Sequence, residues 1–185
     1  MLHIGTQPFE TARLLCRPFV PEDCEAMFRN WASDPRVQPE YGEPVYATLP
    51  ETGELLNRYL DSCRNPDVYR WAIVRKSDTE VIGQIAFCRV YSDCRTAEIE
   101  YCIGVPFQGN GYAGEALAGL LGFTFRNTDF EKLEAYHRLE NTNSGRVLAK
   151  SAMAVTDTVE RFRREGVLPH GEICYCITKE CYCKL

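Results

Sequence analysis

The chain has 185 residues, 45% of them hydrophobic and 25% charged, enough to bury a core and too few for much beyond one domain over residues 1–185. Its formal charge of −5, from 21 Lys and Arg against 26 Asp and Glu, argues against a nucleic-acid binder, because affinity for phosphate backbones comes largely from basic side chains. Met1–Glu10 lacks the basic and apolar regions of a signal peptide, and no run approaches the ~18 apolar residues that cross a bilayer, so a cytoplasmic chain with no membrane partner is expected.

In chain order, Leu14–Arg17 reads as a short strand stopped by Pro18. A helix over Glu22–Trp31 follows, with Pro21 at its first turn and Asp34-Pro35 beyond its end. Pro39–Thr48 reads as irregular, and Glu51–Cys63 places Leu55, Leu56, Tyr59 and Leu60 on one helical face. The texture then changes to closely spaced strands at Tyr69–Arg75, Val81–Tyr91 and Thr96–Val105, an antiparallel meander. A glycine loop leads into a helix over Tyr112–Asn127, a strand over Lys132–Leu139, a helix near Ser144–Ser151 and a C-terminal β region including Ile173–Thr178. The fold class is mixed α and β in one domain.

Ten cysteines fall below the density of a disulfide scaffold and read as reduced thiols. Only the tail, Cys174-Tyr-Cys176 with Cys181-Tyr-Cys183, offers four thiolates to a zinc ion. Their spacing is wrong for the common zinc modules, so small packing residues are the favoured reading and no metal is expected.

The most informative stretch is Phe107-Gln108-Gly109-Asn110-Gly111-Tyr112-Ala113-Gly114-Glu115, which joins a strand to a helix with Ala113, Ala116, Leu117, Leu120 and Leu121 on one face. Glycines let a backbone approach a ligand and turn successive N–H groups outward, and a helix N-terminus adds partial positive charge. Together they describe a pyrophosphate cradle, although a plain strand-to-helix turn fits the same residues. Gly109-x-Gly111-x-x-Gly114 also satisfies the dinucleotide fingerprint, but the strand before it carries Glu98 and Glu100 on one face, where a dinucleotide fold needs an apolar buried strand.

These residues resemble the GCN5-related N-acetyltransferases, and within them the RimJ/RimL branch of ribosomal-protein N-terminal acetyltransferases. The likeness runs through Arg13-Leu14-Leu15-Cys16-Arg17-Pro18-Phe19, Val81-Ile82-Gly83, Ala97-Glu98-Ile99-Glu100-Tyr101, Gln108-Gly109-Asn110-Gly111-Tyr112-Ala113, and Asn141-Thr142-Asn143-Ser144 with Arg146-Val147-Leu148. It implies a central, mostly antiparallel sheet with flanking helices, in which the parallel strands Thr96–Val105 and Lys132–Leu139 splay apart to admit acetyl-CoA. The pantetheine arm would pair near Ile103 and Val105. The amides of Gln108, Gly109, Asn110, Gly111, Tyr112 and Ala113 would hold the pyrophosphate, and Asn141 would contact the arm. Where many members place a tyrosine general acid this chain has Leu148, and Ser144 stands where the branch has a serine credited with that role; a helix cap is the alternative for Ser144.

The resemblance implies transfer of an acetyl group to a primary amine by direct attack in a ternary complex. A lysine with pKa ~10.4 is neutral in roughly 0.04% of molecules at pH 7, an α-amine with pKa ~7.8 in about one in seven, so a protein or peptide N-terminus needs the least help. Glu98 and Glu100 are the candidates for a water-relayed base, against structural roles in which one binds main-chain groups and the other is solvated. His137, on the splayed partner strand, points either into the cleft or into the core. Rival readings are a small-molecule amine acetyltransferase (polyamine, antibiotic or amino acid), a nicotinamide-dependent oxidoreductase, and a non-catalytic acyl-CoA- or zinc-binding protein; a homodimer is compatible with all of them.

Overall fold

The computed structural model describes residues 1–185, apart from the side chain of residue 41. Eight strands form one sheet: β1 (Phe9–Glu10), β2 (Leu14–Arg17), β3 (Tyr69–Arg75), β4 (Glu80–Tyr91), β5 (Thr96–Ile103), β6 (Lys132–Arg138), β7 (Ala154–Thr156) and β8 (Glu172–Thr178). Their order across the sheet is β1-β2-β3-β4-β5-β6-β8-β7, and β5 with β6 is the parallel pair among antiparallel neighbours.

Period-two alternation divides the side chains between two cores. Trp71 and Ile73 of β3, Ile99 and Ile103 of β5, and Leu133 of β6 pack beneath α4 (Tyr112–Asn127), whose Ala116, Leu117, Leu120 and Leu121 are buried there. On the opposite face Ala72 and Val74 of β3 and Cys102 of β5 meet Met27 and Trp31, together with Leu55 and Leu56 of α3 (Leu49–Ser62). A capping box starts α3: Glu51 N–H donates to Thr48 Oγ1 while Thr48 N–H donates to Glu51 Oε2.

The helix expected over Glu22–Trp31 is broken into three geometries. A 3-10 turn at Pro21–Asp23 leads into α1 (Cys24–Met27), which widens into a π turn at Phe28–Ala32. Asp23 fixes the first by accepting both terminal Arg17 nitrogens at 2.7 and 2.8 Å and the Val20 N–H at 2.9 Å. The widened turn brings Asn30 to the start of β4, where its Nδ2 donates to Val81 O at 2.8 Å and Glu80 Oε1 at 2.6 Å. The remaining helices are α2 (Gln38–Tyr41), overlapping the start of the stretch read as irregular, then α5 (Thr142–Ala149), α6 (Glu160–Glu165) and α7 (Lys179–Tyr182). No helix of the described residues is long and apolar enough to cross a membrane.

Candidate active site

The site begins where two strands part. β5 and β6 are paired at Thr96, Ala97 and Glu98, opposite Lys132, Leu133 and Glu134. Beyond Glu98 each follows its antiparallel partner, β5 staying with β4 as far as Ile103 and β6 with β8 as far as Arg138. The facing edges therefore lack strand partners, and a cavity of about 1240 Å³ opens between them, lined from both faces of the sheet. Strand β5 ends at Ile103, two residues short of the expected Val105, which instead starts a 3-10 turn over Val105–Phe107. Pro106 lacks the N–H that a continuing strand would need. Gln108 ties off this end: its Nε2 donates to Ile103 O at 2.8 Å and its main-chain N–H to Val105 O at 3.2 Å.

The glycine loop follows directly. Gly109 and Gly111 hold φ of 77° and 80°, the left-handed region that other residues enter only at a cost, and Gly111 is the N-cap of α4. No side chain caps this helix, so the Tyr112, Ala113 and Gly114 amides, which have no partner within it, face the loop with the dipole's positive end. The loop is braced from outside the cavity. Asn110 Nδ2 donates to Phe107 O and Gln108 O, both at 3.1 Å, and Arg13 Nη1 donates to Asn110 O at 3.1 Å. Glu115 accepts from Thr11 Oγ1 at 2.6 Å, Arg13 N at 2.8 Å and Arg13 Nε at 2.6 Å. Burial pushes the Glu115 carboxyl up, and the Thr11 and Arg13 hydrogen bonds outweigh it, holding it below the ordinary range.

Asn141 and Ser144 meet the cavity at the start of α5. Asn141 is the cap, its Oδ1 accepting from Ser144 N at 3.0 Å, so the alternative that Ser144 caps the helix is wrong: Ser144 is the third residue of the first turn. Its hydroxyl lies 2.9 Å from the Tyr101 hydroxyl. Sequence reasoning passed over Tyr101, although its place two residues beyond Ile99, on the face of β5 that packs beneath α4, was the available signal. Burial pushes the Tyr101 phenol up to about 12, partly countered by the Ser144 hydrogen bond. Leu148 is fully buried in the core beneath α4, where many resembling proteins have a tyrosine.

Glu98 and Glu100 project from the other face. Glu98, 2% exposed, accepts Arg89 Nη1 at 2.8 Å and the Cys88 thiol at 3.2 Å on Oε1; its buried Oε2 has no hydrogen-bond partner. Glu100 accepts Arg70 Nη2 at 2.8 Å, and its side chain is 24% exposed. Each is held by an arginine. His137 borders the cavity but is 7% exposed, with Nδ1 2.8 Å from Arg138 O and Nε2 buried and unpartnered. Because a carbonyl only accepts, Nδ1 carries the hydrogen. Burial pushes the Cys102 thiol up to about 12, an inert packing thiol. Cys174 and Cys176 lie in β8, while Cys181 and Cys183 lie in and just after α7. The described residues contain no group of three or more His, Cys, Asp or Glu placed to hold a metal ion.

The family described as "Acetyltransferase (GNAT) domain" matches residues 13–154, which contain the fork, the loop and the Tyr101–Ser144 pair. The chain belongs to the GNAT acetyltransferases. It is 25% identical over 170 residues to the uncharacterized N-acetyltransferase YoaA of Bacillus subtilis (strain 168), covering 92% of this chain and 96% of that protein. A solved GNAT-family acetyltransferase from Bacillus anthracis superposes with a TM-score of 0.75 at 25% identity, over 94% of this chain and 99% of the other. The ribosomal-protein-S5-alanine acetyltransferase from Vibrio fischeri superposes at 0.73 over 94% and 97%, but at 14% identity that likeness concerns the fold. The chain is thus an N-acetyltransferase on the GNAT fold, whose members take acetyl-CoA as co-substrate. The GNAT cleft here fits that ligand: uncapped amides at α4 suit a pyrophosphate, and the open β5 edge suits an extended amide-bearing arm.

Proposed function

We propose that this GNAT protein transfers the acetyl group of acetyl-CoA to the α-amine of a protein or peptide N-terminus, in the manner of the RimJ/RimL branch, by direct attack in a ternary complex. Acetyl-CoA supplies an activated carbonyl and a thiolate leaving group; binding, orientation and proton movement belong to the chain. The amides of Gln108, Gly109, Asn110, Gly111, Tyr112 and Ala113 take the pyrophosphate. The arm lies along the open β5 edge near Ile103 and Val105, with Asn141 beside it: its Oδ1 is committed to the cap, and its amide nitrogen remains for the ligand. Ser144 donates the proton that the departing thiolate needs.

The observation that carries the choice of acceptor is the pairing of both carboxylates with arginines, Glu98 with Arg89 and Glu100 with Arg70. With both carboxylates already engaged by arginines, the site suits an amine that is already neutral in about one molecule in seven at pH 7 better than a lysine that is neutral in roughly 0.04%. Of the two, Glu100 is the more open to an incoming amine, and it carries the water-relayed proton removal, with Glu98 shaping the fork beneath it.

Release of CoA thiol tests the reading against four acceptors: a peptide with a free N-terminus, the same peptide N-blocked but containing lysine, a polyamine and a free amino acid. Turnover with the first and little with the others is expected. Preference for the polyamine, the amino acid or the blocked peptide overturns it.

A further inference from the structure

Tyr101 and Ser144 come from different elements and share a hydrogen bond across the mouth of the fork. Tyr101 extends from β5 on the face packed beneath α4, and Ser144 sits in the first turn of α5. Both line the cavity, and both are partly rather than fully buried. The hydroxyl oxygens are 2.9 Å apart, and the Tyr101 hydroxyl also lies 3.4 Å from the Ser144 carbonyl, an oxygen that only accepts. A phenol is a stronger acid than an alcohol. As the stronger acid, and with the hydroxyl the nearer of the two oxygens, Tyr101 directs its hydrogen to Ser144 Oγ, filling a lone pair of the serine oxygen and leaving the serine hydrogen free for the cleft.

From this arrangement we infer that Tyr101 is a positioning residue for acyl transfer, acting through Ser144 as a two-hydroxyl proton relay to the leaving sulfur. The inference rests on the proposed role of Ser144 as proton donor. The carboxylates lie on the opposite face of β5, so the fork separates proton removal from proton delivery: the amine arrives on the Glu100 side and the thiolate departs on the α5 side. As the amine nitrogen bonds to the acetyl carbon and the C–S bond breaks, the bonding pair goes to sulfur. Ser144 passes its proton to that sulfur, Tyr101 passes its own to Ser144 Oγ, and water returns to Tyr101 the proton the nitrogen gives up on becoming an amide. The α5 N-terminus adds partial positive charge beside the accumulating negative charge. With its phenol pushed up to about 12, Tyr101 stays protonated throughout the neutral range and always holds the hydrogen this role requires.

Tyr101→Phe removes the hydroxyl and keeps the ring, so the packing beneath α4 survives. Three measurements test the inference on the full chain. In the absence of any ligand, the ζ-carbon NMR resonance of Tyr101, assigned by its loss in Tyr101→Phe, should shift in Ser144→Ala. Acetyl-CoA affinity by calorimetry should stay within about twofold of the parent in both variants. With a free-N-terminus peptide, kcat should fall roughly tenfold or more in each variant with KM for acetyl-CoA little changed, and the double variant should lose no more than Ser144→Ala alone. A ζ-carbon resonance indifferent to Ser144, a Tyr101→Phe kcat equal to the parent, or losses that multiply in the double variant would overturn it. If Ser144→Ala keeps full kcat, the proposed role of Ser144 has failed and this inference falls with it; a loss in Ser144→Ala but not in Tyr101→Phe sinks the relay alone.

Discussion

At the scale of single residues, the first turn of α5 assigns two neighbouring polar side chains to different tasks. Asn141 supplies the cap, so Asn141→Ala should cost about 1 kcal/mol in urea-induced unfolding. Ser144→Ala should leave the unfolding midpoint unchanged and lower kcat, because its hydroxyl holds no orphan amide of the helix. Equal stability losses in the two variants would restore a cap to Ser144. On β5, Glu98 and Glu100 differ as sharply. Truncating Arg89 strands a nearly sealed carboxylate, and Arg89→Ala should destabilise the fold by about 3 kcal/mol in the same assay. Glu100→Gln, in contrast, should lower kcat/KM most below neutral pH, where free amine is scarce and proton removal limits the rate.

At the scale of elements, the loop before α4 depends on backbone geometry and on a brace. Gly111→Val places a β-branched residue at φ 80°, which should cost about 1–2 kcal/mol and weaken acetyl-CoA binding strongly in calorimetry. Binding as tight as the parent's would place the pyrophosphate elsewhere. The brace is Glu115, whose carboxyl is held below the ordinary range by Thr11 and Arg13 against the opposing effect of burial. A carboxyl depressed in the folded state contributes stability above its unfolded pKa of ~4.3 and loses it as pH falls through the folded value. Glu115→Gln should therefore be less stable than the parent by about 2 kcal/mol at pH 7, and the gap should close in acid. A gap that persists unchanged at low pH would mean that shape, not charge, braces the loop.

For the whole molecule, periodicity made the large elements legible and stayed silent about the short ones. Leu14–Arg17, Tyr69–Arg75 and Tyr112–Asn127 stand where alternation or helical spacing placed them. β1 and β7, with two and three residues, carry no period to read, and α6 (Glu160–Glu165), all of whose residues but Phe162 are charged, offers almost no apolar stripe. The broken helix at Pro21–Ala32 was hidden for another reason: Asp23 and Asn30 shape it through partners outside the helix, Arg17 just before it and Val81 51 residues on. The glycine loop was visible because positive φ demands glycine. The Tyr101–Ser144 contact was not, since it joins positions 43 apart whose meeting depends on how β6 and α5 swing away from β5.

The acceptor amine sets the dependence of the whole enzyme on pH. If the acceptor is an α-amine, its neutral fraction falls about tenfold for each unit below pKa ~7.8, and kcat/KM with a free-N-terminus peptide should follow that slope. A profile that keeps rising steeply towards pH 10 would instead mark a lysine or polyamine as the acceptor.

The central claim, that acetyl-CoA enters where β5 and β6 part, is tested most directly by amide hydrogen exchange with and without acetyl-CoA. The account predicts protection concentrated in residues 99–114 and 141–145, covering the open β5 edge, the glycine loop and the start of α5. Saturable binding with protection confined to other parts of the sheet would contradict it.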